Sequence, residues 1–263
     1  MNTKQVKHVV LVSLLGLSLT VLAADWKTSI ANANHGGGQQ DKPAATQDKA
    51  AAPDKPVEEV YKNIQILKGM PSSRLMGVMG FFARSLGVKC DHCHVPGAFE
   101  KDDKPTKLTA RKMYELVRVS QRELGDNRVS CFMCHRGKVQ PEQMPDSMKA
   151  EVEEAMKKAD DDKRPAEQVY KNIQSLKGVP AGRWMMIMQM FSKSLGVKCD
   201  HCHVPGAFEK DDKPAKLTAR KMLKMVGAIS REVFKGPTNV NCYTCHKGQT
   251  EPVSFPTPPQ KPQ

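Results

Sequence analysis

All eight cysteines of this 263-residue chain fall into four copies of one short pattern, C-x-x-C-H. The copies are Cys90, Cys93 and His94; Cys131, Cys134 and His135; Cys199, Cys202 and His203; and Cys242, Cys245 and His246. Two thiols three positions apart, followed at once by an imidazole, is the spacing of c-type haem attachment. Each sulfur adds to a vinyl group of the porphyrin, and the histidine becomes the proximal iron ligand. The eight cysteines are therefore the candidate cofactor-binding residues and the four histidines the candidate iron ligands. Four covalently bound haem c groups are the expected cofactors. A zinc ribbon needs two C-x-x-C knuckles at one ion and leaves the four histidines without a task. A disulfide framework suits secreted domains shorter than about 100 residues, not a chain of this length.

The N-terminus reads as an export signal over residues 1–23. Lys4 and Lys7 form a positive region, Val9 to Leu22 an apolar stretch short for a membrane span, and Val21–Leu22–Ala23 a small-residue cleavage site. The expected compartment is the periplasm. The outer face of the inner membrane is the alternative, reached through an uncleaved N-terminus or a partner complex. No cysteine stands in the signal to carry a lipid.

Only 39% of the residues are hydrophobic and 5% aromatic, a thin supply for a core that four large apolar macrocycles would complete. The net charge of +13 would be offset by roughly eight haem propionates. With no basic stripe interleaved with aromatics, nucleic acid is not an expected partner.

The chain is a tandem duplication. Val60 to Gln65 returns as Val169 to Gln174, and Cys90 to Pro105 returns unchanged as Cys199 to Pro214. The offset is 109 residues there and 111 between Cys131 and Cys242, which suggests two residues gained near Gly236–Pro237. The expected organisation is a disordered linker over 24–56, a dihaem repeat over 57–140, and a linker with a short helix over 141–164. A second dihaem repeat over 165–250 and a proline-rich tail over 251–263 complete it.

Each repeat reads as helices with little strand, so the expected fold class is all-α. Val57, Val60, Tyr61, Ile64 and Leu67 recur at helical spacing up to Gly69. Pro71 opens a second helix with the stripe Leu75, Met79, Phe82 and Leu86, stopped by Gly87. A charged loop over 100–107, or 209–216, leads to a third helix starting near Thr109 or Thr218. In the linker, a helix is expected from Asp146 to Lys158 with a solvated charged face.

Histidine runs out before the irons are satisfied. Beyond the four proximal ligands there remain His8 in the signal, His35 in the spacer, and His92 and His201 tethered inside haem motifs. Methionine, a soft thioether ligand, is the natural sixth ligand. The shared candidates are Met79 and Met188, with Met76 and Met185 as the alternative one turn away, and Met113 and Met222 on the third helices. Ordinary core packing is the competing role for such a stripe.

Leu86 to Cys90 with Met79 upstream, and Thr109 to Met113 followed by Cys131, Cys134, His135, Arg136 and Gly137, resemble the tetrahaem cytochrome subunit of bacterial photosynthetic reaction centres. The second copy resembles it too, and the likeness covers roughly residues 57–250. The resemblance implies methionine ligands on the helix before three of the motifs. It also implies a distal histidine, for the remaining haem, from the loop after the first repeat's third helix. Residues 123–128 hold no histidine, so Met222 is expected in that role. The expected activity is single-electron transfer through His/Met haems. Its partners would be a quinol-oxidising complex, small cytochromes or a reaction centre. A multihaem peroxidase or reductase with one open haem is the enzymatic alternative.

Overall fold

The computed structural model describes residues 54–157 and 161–255. The expected signal over 1–23, His8, His35 and most of the 24–56 linker lie outside the described residues. In the first copy the elements are α1 (Val57–Val60), a 3-10 turn (Ser72–Arg74), α2 (Leu75–Leu86) and a 3-10 turn at the first motif (Cys90–His92). There follow α3 (Pro105–Leu124) and α4 (Cys131–His135), the second motif, and then the linker helix α5 (Asp146–Lys157). The second copy repeats them as α6 (Ala166–Val169), α7 (Trp184–Leu195), α8 (Pro214–Ala228) and α9 (Cys242–His246). Strand pairing among the described residues is limited to isolated bridges such as Pro56 with Pro71. The fold is all-α.

Several expectations are corrected. The first helix stops at Val60: Tyr61 is extended, and Asn63 and Leu67 are left-handed at φ 58° and 66°. The Glu58 carboxylate accepts the Gly69 amide at 2.9 Å, closing residues 61–69 as a loop that helical spacing alone does not reveal. The third helices begin one turn earlier than expected, at Pro105 and Pro214. There proline's fixed φ suits the first helical position and its missing N–H has no partner to lose. Order reaches at least to Asp54, whose carboxylate accepts from the Ser72 hydroxyl at 2.8 Å. Helix α5 packs on α7, with Glu151 paired to Lys193, so its charged face is not simply solvated. The tail also turns back: Ser130 donates to the Ser254 carbonyl and the Phe81 and Phe255 rings lie 5.8 Å apart.

The two extra residues are divided rather than placed together. Helix α8 widens into a π-helix over Ile229–Phe234, and the left-handed residue that ends it is Lys235 where the first copy has Gly125. That shift of 110 absorbs one residue inside the helix, as π-turns do. The loop before Cys242 takes the other.

Among the described residues nine apolar side chains are buried, too few for a core within each repeat. Four of them, Val119, Ala228, Ile229 and Val233, cluster where α3 meets α8 and the π-helix. Burying a Val or Ile side chain contributes about 1.5–3 kcal/mol, so apolar packing joins the copies. Arg122 to Glu232 at 2.8 Å and Lys224 to Glu123 at 3.3 Å rim this contact; the first, exposed at both ends, contributes little.

Candidate haem iron centres

The first motif of each copy begins four residues after a helix ends. Gly87 and Gly196, at φ 67° and 66°, stop α2 and α7 in the left-handed conformation. One turn then carries Cys90 to His94, whose amide donates to the Cys90 carbonyl at 3.0 Å. The second motif is a single α-helical turn, closed by left-handed Arg136 or Lys247. Asn241 starts α9 with a reciprocal side-chain cap to Thr244.

All four motif histidines are oriented alike. Nδ1 of His94 lies 2.9 Å from the Phe99 carbonyl, that of His135 3.0 Å from Lys138, that of His203 3.0 Å from Phe208, and that of His246 2.9 Å from Gln249. A carbonyl can only accept, so the proton sits on Nδ1 and the lone pair of Nε2 is free to bind iron. Burial pushes the His135 imidazole below its ordinary pKa, which favours the neutral, ligating form. Burial pushes the Cys93, Cys131, Cys202 and Cys242 thiols up. Phe99 and Phe208 are each 56% exposed beside the proximal ring, at 5.4 Å between centroids, apolar surface of the kind a porphyrin covers. The residues present fit a haem at each motif.

Backbone contacts tie the motifs of each copy together. The Gly137 amide, two residues past His135, donates to the Ser85 carbonyl at 2.9 Å, and Gly248 donates likewise to Ser194. Ser85 and Ser194 are buried. A Cβ on Gly87 would stand 2.1 Å from the Gly137 oxygen, and one on Gly196 2.2 Å from that of Gly248. Only glycine permits this approach. Thus the helix leading into the first motif clasps the turn leaving the second.

The copies meet at their second motifs. Helix α4 contacts α9, and the Cys134 and Cys245 thiols are within hydrogen-bonding reach of one another. Arg136 Nη2 donates to the Cys245 carbonyl at 3.4 Å, while its buried Nε has no hydrogen-bond partner. Beside it the Lys247 side chain is 4% exposed, and burial and Arg136 push its ammonium pKa down. Two crowded cations, one holding an orphaned donor, suit the anionic propionates of haem. The connected order of the motifs is first, second, fourth, third.

The candidate methionines occupy the expected helices. Met79 and Met188 are half-buried in mid-helix, whereas Met76 and Met185 are 69% and 59% exposed. Met113 and Met222 are half-buried on α3 and α8. A cavity of about 520 Å³ opens beside Cys199 and His203, with Gln189, Ser192 and Lys193 as its α7 wall. Met188 stands one turn before Ser192, outside that lining.

A charged cluster that motif reading passes over fixes the loop after the first motif. Asp102 accepts from Arg111 at 2.8 Å and Asn63 at 2.9 Å, and Lys107 donates to the Phe99, Glu100 and Lys101 carbonyls. Asp211, Arg220, Asn172 and Lys216 repeat it. Their unchanged return in the second copy was the available signal. Arg111 and Arg220, the main influence on each carboxylate, hold Asp102 and Asp211 well below the usual carboxylate range.

Among the described residues no three His, Cys, Asp or Glu side chains gather at one point. No described helix is long and apolar enough to cross a membrane.

The family model for the photosynthetic reaction centre cytochrome C subunit matches the chain twice, at residues 16–153 and 143–261. A photosynthetic reaction center cytochrome c subunit from Thermochromatium tepidum is 26% identical, over 82% of this chain and 66% of its own. Its counterpart from Rubrivivax gelatinosus is 21% identical, over 74% and 68%. Cytochrome c-554 of Chloroflexus aurantiacus is 36% identical over 28% of this chain and 20% of its own. The chain thus spans about two thirds of the length of the two reaction-centre relatives. Two matches, one per copy of the duplication, join the four motifs to one conclusion: the chain belongs to the photosynthetic reaction centre cytochrome c subunit family.

Proposed function

We propose that the chain is a four-haem c-type cytochrome that carries single electrons between redox partners in the periplasm. The observation that carries this reading is the common setting of His94, His135, His203 and His246. Each gives its Nδ1 proton to a backbone carbonyl and keeps Nε2 for iron. When bound, haem supplies reversible one-electron Fe(III)/Fe(II) chemistry.

The chain's own residues do the rest. The eight motif cysteines hold the group covalently. Met79, Met113, Met188 and Met222 serve as sixth ligands, and thioether ligation favours Fe(II). Residues 57–140 and 165–250 act as the two dihaem repeats. The clasp of Gly137 on Ser85 and the meeting of α4 with α9 keep neighbouring attachment points close.

Partners in this reading are a quinol-oxidising complex, small cytochromes or a reaction centre. Family membership favours a second, narrower reading, a reaction-centre-bound subunit, which copurification with reaction-centre chains would support.

Mass spectrometry tests the count: four haems surviving acid–acetone extraction are expected, and fewer would overturn the reading. Carbon monoxide tests the carrier role. With six ligands on every iron the reduced protein should not bind it rapidly at neutral pH. Rapid stoichiometric binding at one haem would favour the peroxidase or reductase alternative.

A further inference from the structure

We propose that Lys107 and Lys216 hold up the reduction potentials of the first and third haems, by placing an ammonium on the carbonyl that receives the proximal histidine's proton. The Phe99 oxygen lies 2.9 Å from His94 Nδ1 and 2.9 Å from Lys107 Nζ. In the second copy the Phe208 oxygen lies 3.0 Å from His203 Nδ1 and 2.9 Å from Lys216 Nζ.

These ammonium groups are well shielded, their side chains each 11% exposed. Lys107 also donates to the Glu100 and Lys101 carbonyls at 3.0 and 2.7 Å and lies 3.1 Å from Asp102. Asp102 is shared with Arg111 at 2.8 Å. The cluster of two cations and one carboxylate therefore keeps one excess positive charge beside the proximal ring. Among the described residues no side-chain cation donates to the Lys138 or Gln249 carbonyl, the acceptors for His135 and His246. The four proximal carbonyls thus fall into two classes.

Two effects act in the same direction. A nearby positive charge disfavours Fe(III) relative to Fe(II). A carbonyl already accepting from an ammonium draws less on the Nδ1 proton, so the imidazole is less anionic and stabilises Fe(III) less. Lys107 and Lys216 are positioning residues, acting through Phe99 and Phe208. The inference rests on the haem reading above.

The test is a spectroelectrochemical titration of the four-haem protein. Lys107→Gln should lower one component, the first haem, by a three- to tenfold fall in its Fe(II)/Fe(III) ratio at fixed potential, on the order expected for one partly screened charge. Tenfold is about 59 mV for a one-electron couple. Lys216→Gln should do the same to the third haem, Lys107→Arg should restore most of the shift, and the second and fourth haems should not move. In the reduced protein the His94 Nδ1 proton resonance should shift as its hydrogen bond strengthens. Unchanged potentials and an unmoved resonance, with four haems attached, would overturn the proposal. Fewer than four haems in wild type would instead defeat the underlying reading. If Lys107→Gln does not assemble, Asp102→Asn decides: losing the compensating carboxylate should raise the same component, and no change refutes the idea.

Discussion

Alanine at position 87 places a methyl carbon 2.1 Å from the Gly137 carbonyl oxygen while keeping a φ of 67°. The left-handed backbone alone costs a non-glycine residue about 1–2 kcal/mol. The contact is with backbone, so relief requires the 136–138 turn to move. That movement stretches the 2.9 Å bond from the Gly137 amide to the Ser85 carbonyl, a further loss of about 1 kcal/mol. The expected total for Gly87→Ala is about 2–3 kcal/mol, large for a single methyl group. Gly125 provides the control: it has the same φ of 67° but nothing within 4 Å of a Cβ. Gly125→Ala should therefore lose only the backbone part, about 1–2 kcal/mol. Urea denaturation of the haem-loaded protein, followed by far-ultraviolet circular dichroism, measures both through the shift in midpoint at constant slope. Gly196→Ala should behave like Gly87→Ala, its Cβ standing 2.2 Å from the Gly248 oxygen. Equal losses for Gly87→Ala and Gly125→Ala would refute the clasp as the bond between the first and second motifs.

The ligand assignment is checked by the near-infrared methionine-to-iron band of the oxidised protein. Met79→Leu and Met188→Leu should each remove part of it, and Met76→Leu should leave it and all four potentials unchanged; the reverse result would shift the register by one turn. Met113→His should lower one potential, because imidazole favours Fe(III) more than thioether does. Acid stability follows from the depressed carboxyls of Asp102 and Asp211, which Arg111 and Arg220 hold ionised. The stabilisation they contribute is fully present above the unfolded-state value near 3.9 and fades as pH falls towards the lower folded value. Asp102→Asn should thus destabilise the loop at pH 7 but differ progressively less from wild type below about pH 4; a difference that persists unchanged in strong acid would contradict the ion-pair account.

The chemistry proposed for this protein is legible in its sequence because a haem-attachment motif is local. Cysteine, cysteine and histidine lie within five positions, so no fold is needed to bring them together. Helices α2 and α7 are legible for the same reason: their apolar stripe and the glycine that ends them are both short-range signals. The histidine tautomers nearly are, since the accepting carbonyls of Phe99 and Lys138 lie five and three residues beyond their rings. The first helix misleads, because a contact from the Glu58 carboxylate to the Gly69 amide outweighs the periodicity of Val57 to Leu67. The division of the two extra residues also escapes the sequence, since a π-turn leaves no spacing of its own. What only the tertiary structure decides are the contacts between distant segments. Gly87 against Gly137, α3 against α8, and Cys134 beside Cys245 each join residues 50 to 111 positions apart. Such contacts depend on where whole helices come to rest, which packing of the complete chain determines and no local pattern records.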